Sequence, residues 1–138
     1  MTAQNAVGVT GTAVVEAGTS VTVESKAAGD ITVDTTGTVS ANGGSVTIDN
    51  DNGKVTVQNA AVTASAKVDI DATDAVTVAK GSQAASVTGG TGVEIDTTAN
   101  GVTVDASSVK ATTGDVVVST DASTRIGEIG RASCRERV

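Results

Sequence analysis

The sequence contains no phenylalanine, tryptophan, tyrosine, histidine or proline, and only one cysteine and one methionine. Compact domains take much of their burial from large aromatic side chains. Without them a thick core is excluded, and a thin one is expected, a single valine layer deep and extended in one direction. The same absence removes the aromatic platforms on which polysaccharide-acting β-helix enzymes hold sugar rings. The lack of histidine removes the commonest general acid–base group. The single cysteine, Cys134, permits no intrachain disulfide. No apolar run approaches the length of a transmembrane helix. No basic–apolar signal segment opens the chain, and Met1 is followed by the polar Thr2-Ala3-Gln4-Asn5, as in the interior of a longer protein. Basic residues are also scarce, 9 against 16 acidic for a net charge of −7. An acidic surface repels nucleic acid and anionic membranes, which makes both poor partners.

The 138 residues suit one domain, and the apolar 38% is mostly valine and alanine with a few isoleucines. Valine and threonine are β-branched and favour strands. Their regular alternation argues against disorder, which glycine, serine and acidic residues would otherwise favour.

The last residues differ in character. All four arginines (Arg125, Arg131, Arg135 and Arg137) and Cys134 fall there. The stretch Glu128-Ile129-Gly130-Arg131-Ala132-Ser133-Cys134-Arg135-Glu136-Arg137-Val138 resembles a short-read sequencing adapter translated in frame. The expected organisation is therefore a repeat segment over 1–124, an uncapped piece of a longer protein, and a disordered tail over 125–138 that is artefactual from 128.

Within 1–124 three strand types recur. Type A begins at Val21, Val46, Val68, Val93 and Val116; type B at Val7, Ile31, Val55, Val76 and Val102. Type C is anchored at Val14, Val39, Val62, Val87 and Val109, and the last four anchors are followed two residues later by Ala41, Ala64, Gly89 and Ala111. Turns of Gly, Asn, Asp, Ser and Thr separate them. Three strands and three turns in each period of 21 to 26 residues make one coil of a solenoid. The expected fold is all-β, a parallel β-helix of about five coils, each roughly 4.8 Å high, in a prism about 25 Å long. Alternation turns both valines of Val-x-Val inward and the middle residue, usually threonine, outward. Each buried valine contributes roughly 1.5–2 kcal/mol. The small residue in C implies a cramped interior corner. The stretch Val46 to Gln58, which reads at first as a hairpin about Asn52-Gly53, is instead two strands of different sheets.

Three features could carry chemistry. Glu24, Asp49, Asp71 and Asp96 recur just after strand A in successive coils. They either turn the corner by bonding backbone N–H groups or bind calcium. The calcium candidates are Asp49, Asp51, Asp71 and Asp96, because Asp49-Asn50-Asp51-Asn52-Gly53 has the D-x-D-x-G form of a calcium loop. No later acidic residue completes that loop, and no other cofactor is implied. Asp69 and Asp71, close on one strand, are expected to point to opposite faces or a corner, which gives no catalytic pair. Thr32, Thr56, Thr77 and Thr103 form a column in strand B, as in ice-binding solenoids, but Asp34, Gln58, Ala79 and Asp105 supply no second column.

Gly29-Asp30-Ile31-Thr32-Val33-Asp34, Gly43-Gly44-Ser45-Val46-Thr47-Ile48, Gly101-Val102-Thr103-Val104-Asp105 and Gly114-Asp115-Val116-Val117-Val118 are similar to repeat units of bacterial exoproteins of the filamentous-haemagglutinin type. The resemblance covers roughly residues 7–120 and implies a right-handed coil. It implies a secreted or surface-attached adhesin or stalk that meets host-cell or matrix surfaces through parts outside this sequence and continues end to end into further coils. The expected function is a non-catalytic shaft or adhesion segment, extracellular or on the bacterial outer surface, without membrane insertion. A calcium-stabilised binding module and an ice-binding solenoid are the alternatives.

Overall fold

The computed structural model describes residues 1–121 and the backbone of two further short strands, Arg125–Ile126 and Cys134–Arg137. Among the described residues there is no helix. The strands stack as a β-solenoid of about five coils with three strands per coil. Sheet A holds Thr2–Ala3, Val21–Ser25, Val46–Asn50, Lys67–Ala72, Gly92–Thr97, Val116–Thr120 and Cys134–Arg137. Sheet B holds Val7–Gly11, Ile31–Thr35, Val55–Gln58, Val76–Ala79, Val102–Asp105 and Arg125–Ile126. Sheet C holds Val15–Ala17, Thr38–Ala41, Ala61–Ala64, Ser86–Gly89 and Ser108–Ala111.

Neighbouring strands in each sheet are parallel and in the register that the valine period predicts. Val21 pairs with Val46, Val46 with Val68, Val68 with Val93 and Val93 with Val116. Val55 pairs with Ile31 and Val76, so the segments on either side of Asp51-Asn52-Gly53 belong to different sheets. Parallel pairing forces this arrangement, because each strand's partner lies a whole coil away.

The core is a single column of small branched side chains. Val23, Ile48, Ile70, Ile95 and Val118 stack along sheet A, Val33, Val57, Val78 and Val104 along sheet B, and Val39, Val62, Val87 and Val109 along sheet C, all essentially inaccessible to water. Three faces of Val and Ile meet at the axis and fill it, which is how the chain closes a core without aromatic rings. The small residues after each C anchor, Ala41, Ala64, Gly89 and Ala111, are buried as expected. At Gly89 the crowding is absolute, since a Cβ would fall on the carbonyl oxygen of Gly92.

Two expectations need adjustment or placement. The first C strand is anchored by Val15, which pairs with Val39, and Val14 stands 60% exposed. Gly11 ends the preceding strand with φ +74°, and Ala13 N donates to Thr10 O at 3.3 Å. This turn delivers Val15, not Val14, to the inward position, and a slip of one residue reverses every side chain. The expected tail over 125–138 lies outside the described residues, apart from its two strands, whose backbones pair with Thr103–Val104 and Val116–Ser119.

Candidate functional site

The outer face of sheet A gathers the acidic residues. Strand alternation turns outward the residue three places after the first inward valine of each A strand, and the register aligns Glu24, Asp49, Asp71, Asp96 and Ser119 in one column. These residues lie within the strands rather than just after them, as the sequence reading had it. Asp69 and Asp71 are also corrected. They flank the buried Ile70, so both face outward, as period-two alternation requires of residues two apart. Asp69 therefore belongs to a second outward column with Thr22, Thr47, Glu94 and Val117.

Beyond the acid column the chain bends round the A–B corner. The bend leaves a trough of about 500 Å³ whose walls include Asp49, Asp71, Asp96 and Ser119 on one side and Asp51, Thr73, Thr98 and Asp121 on the other. It thus brings the four calcium candidates, Asp49, Asp51, Asp71 and Asp96, to one surface. Among the described residues no group of three or more Asp, Glu, His or Cys has a geometry that would hold a metal ion. Successive strands separate the column's carboxylates by about 4.8 Å. An alternating stack of that pitch presents single oxygens in a row and no cage.

Two lysines answer part of the charge. Lys26 pairs with Glu24 and lies 3.7 Å from Asp51, while Lys67 pairs with Glu94 and lies 3.3 Å from Asp69. Lys26 holds the Glu24 carboxyl below the usual glutamate range, and Lys67 does the same for Glu94. Among the described residues the middle of the column has no cation of its own. Burial, then the charge of Asp69, Asp96 and Asp49, pushes Asp71 up to about 6. Burial likewise raises Asp49 and Asp96.

These shifts fix a pH dependence. The folded chain holds the Asp71 proton more tightly than the unfolded chain does, so ionising Asp71 removes stability. The Asp71 contribution is complete below its ordinary value of 3.8 and is lost as pH rises through about 6. Glu24 and Glu94 act oppositely: their contribution is present above 4.5 and is lost as they protonate below it. The melting temperature is therefore expected to peak near pH 4 and to fall, by about 3 °C between pH 5 and pH 7. That fall corresponds to roughly 1 kcal/mol once solvent screening of a half-exposed carboxyl is allowed for. Thermal melts across pH 3–8 check it, and a flat or rising profile between pH 5 and 7 would contradict it. Asp71→Asn should flatten that limb.

The corner itself is tied by a residue that sequence reasoning missed. Asn50, 1% exposed, donates from Nδ2 to Gly29 O at 3.0 Å and to Lys54 O at 2.8 Å, and its Oδ1 accepts from Asn52 N at 3.2 Å. Asp30 Oδ1 accepts from Lys54 N at 2.9 Å. The signal was parity: Asn50 shares the inward face with Val46 and Ile48, so its side chain points under the bend while Asp49 points away from it.

On sheet B the threonine column is present and outward, with Thr32, Thr56, Thr77 and Thr103 in register. Beside it stand Asp34, Gln58, Ala79 and Asp105, equally in register, so the second column is chemically mixed. Comparison with protein-family models, curated proteins and solved structures found no match.

Proposed function

We propose that this chain is a non-catalytic shaft segment of a bacterial exoprotein, secreted or held at the cell surface, that sets distance and stiffness for binding parts outside this sequence. The observation that supports it is the unbroken register of all three sheets over one continuous valine–isoleucine core. Every coil spends most of its inward positions on apolar stacking, and its outward positions are mainly threonine, serine and carboxylate. The sequence has no aromatic residue, and among the described residues no basic platform interrupts that surface. A raised carboxyl in a trough, as at Asp71, is also how a general acid begins. Here its neighbours are other carboxylates and small hydroxyls, and burial, followed by their repulsion, accounts for the shift.

The resemblance to haemagglutinin-type repeats supplies the setting: further coils of the same chain above and below, and host-cell or matrix surfaces as the eventual partners. An array of bacterial and host glycans probed with the purified chain should show no binding above background. Tight, glycan-specific binding would replace the shaft reading with that of an adhesive face.

A further inference from the structure

Three asparagines make the same cross-coil contact. Asn42 Nδ2 donates to Glu16 Oε1 at 2.6 Å, Asn59 Nδ2 to Asp34 Oδ1 at 2.5 Å, and Asn100 Nδ2 to Asp74 Oδ1. In each case an amide sits over a carboxylate of the preceding coil. The amide is the only member of the pair that can donate, so the contact depends on its remaining an amide.

Two of the three asparagines are followed by glycine. Asn42-Gly43 lies at the C–A corner and Asn100-Gly101 at the A–B corner, and both asparagines are exposed. Glycine has no Cβ to shield its backbone nitrogen and allows the dihedral excursions that ring closure needs. Asn59 is followed by the buried Ala60. It is also held in the left-handed region at φ 59°, and its Oδ1 accepts from Ser82 Oγ at 3.2 Å and Gln83 N at 3.0 Å. A further Asn-Gly pair, Asn52-Gly53, differs in both respects: Gly53 is buried, and Asn52 Nδ2 donates to Lys26 O at 3.3 Å instead of to a carboxylate.

We propose that Asn42 and Asn100 are built-in sites of spontaneous deamidation, each converting an attractive contact between coils into a repulsive one. The backbone nitrogen of Gly43 or Gly101 attacks the side-chain Cγ. The N–Cγ bond forms, the Cγ–Nδ2 bond breaks, and ammonia leaves with the glycine proton. Water, the only co-reactant, then opens the cyclic imide at either carbonyl, giving aspartate or its β-linked isomer. The first product places a carboxylate against Glu16 or Asp74. The second also lengthens the backbone at the corner, where the next A or B strand takes its register. Age would thereby loosen the stack at two corners, while the Asn59 contact stays intact.

The test is to hold the intact folded chain at mildly alkaline pH for days and map its peptides by mass spectrometry. The mass gain of an amide becoming an acid, with ammonia release, is expected at Asn42 and Asn100, at least several-fold faster than at Asn52, and with Asn59 unchanged. Asn59 converting as fast as Asn42, or Asn42 and Asn100 unchanged while an unfolded peptide control converts, would overturn the proposal. The consequence is read separately in thermal melts of Asn42→Asp and Asn100→Asp. Each should melt about 1–3 °C lower than the parent at low salt, and molar salt should erase the difference because the added repulsion is exposed to solvent. Melting at or above the parent temperature at low salt would refute the coupling to coil stacking. Asn42→Gln should keep the parent stability and abolish conversion at that site.

Discussion

Ile70→Ala is expected to lower the unfolding free energy by about 3–4 kcal/mol, towards the upper range for a buried branched side chain. Ile70 is fully buried and pairs directly with Ile48 below and Ile95 above. Its strand also packs against Val55–Gln58, Ala61–Ala64 and Ser86–Gly89 across the axis. A cavity there has rigid parallel strands above and below it, and no large flexible side chain nearby can swing in to fill it. The position within the stack adds to the cost. A solenoid is held by nearest-neighbour interfaces, so weakening a middle coil loosens two interfaces at once and leaves short half-stacks on either side. Urea melts should show a much larger midpoint shift for Ile70→Ala than for Val9→Ala in the first coil, with Ile70→Val costing only about 1 kcal/mol. Comparable losses at Ile70 and Val9 would mean that the coils do not share one cooperative core.

The coil is legible in the sequence because its core is built from one repeated local device. Val-x-Val turns two β-branched side chains the same way, and a parallel stack requires that device to return once per coil. Reading the positions of Val21, Val46, Val68, Val93 and Val116 therefore amounts to reading the sheet. Less legible are positions where periodicity allows two answers or where polarity disguises orientation. Val14 and Val15 are adjacent valines that both sit about one period before Val39, and the choice rests on the left-handed Gly11 and the turn after it. Asp69 and Asp71 share a face for the same reason as the valines, yet their charge invites a reading as corner residues. The acid column was identifiable as a column, whereas the raised pKa of Asp71 depends on which carboxylates lack a lysine. That follows from where Lys26 and Lys67 reach in three dimensions. Asn50 was hidden because an inward position occupied by a polar residue looks, in sequence, like the start of a loop.

Asn50→Ala is expected to cost about 2–3 kcal/mol, and Asp49→Ala, its immediate neighbour, to be neutral or slightly stabilising. Alanine fits the space, because Ala72 occupies the paired position in the next coil with 5% exposure. The loss is therefore one of hydrogen bonding. Removing the amide strands Gly29 O and the N–H of Asn52 and takes one of two donors from Lys54 O, which still accepts from Ile31 N at 2.9 Å; orphaned groups of this kind cost about 1–3 kcal/mol each before water reaches them. The reason that Ala72 suffices in its own coil lies in the length of the bend. Four positions separate Ala72 from Val76, but five separate Asn50 from Val55 and six separate Ser25 from Ile31. The longer bends are the ones with a polar residue turned inward. Ser25 Oγ donates to Asn5 O at 2.8 Å, and Thr97, also five positions before its B strand, donates to Thr120 Oγ1 at 2.8 Å. In the Ser25 and Asn50 bends the inward side chain bonds peptide groups of the bend itself, Ala27 O for Ser25 and Lys54 O and Asn52 N for Asn50. Asp49, facing out among like charges, contributes no such bond, and its removal relieves repulsion on Asp51 and Asp71. Urea melts of the two variants at neutral pH separate the roles. A larger loss for Asp49→Ala than for Asn50→Ala would place the corner in the acid column and remove the argument from bend length.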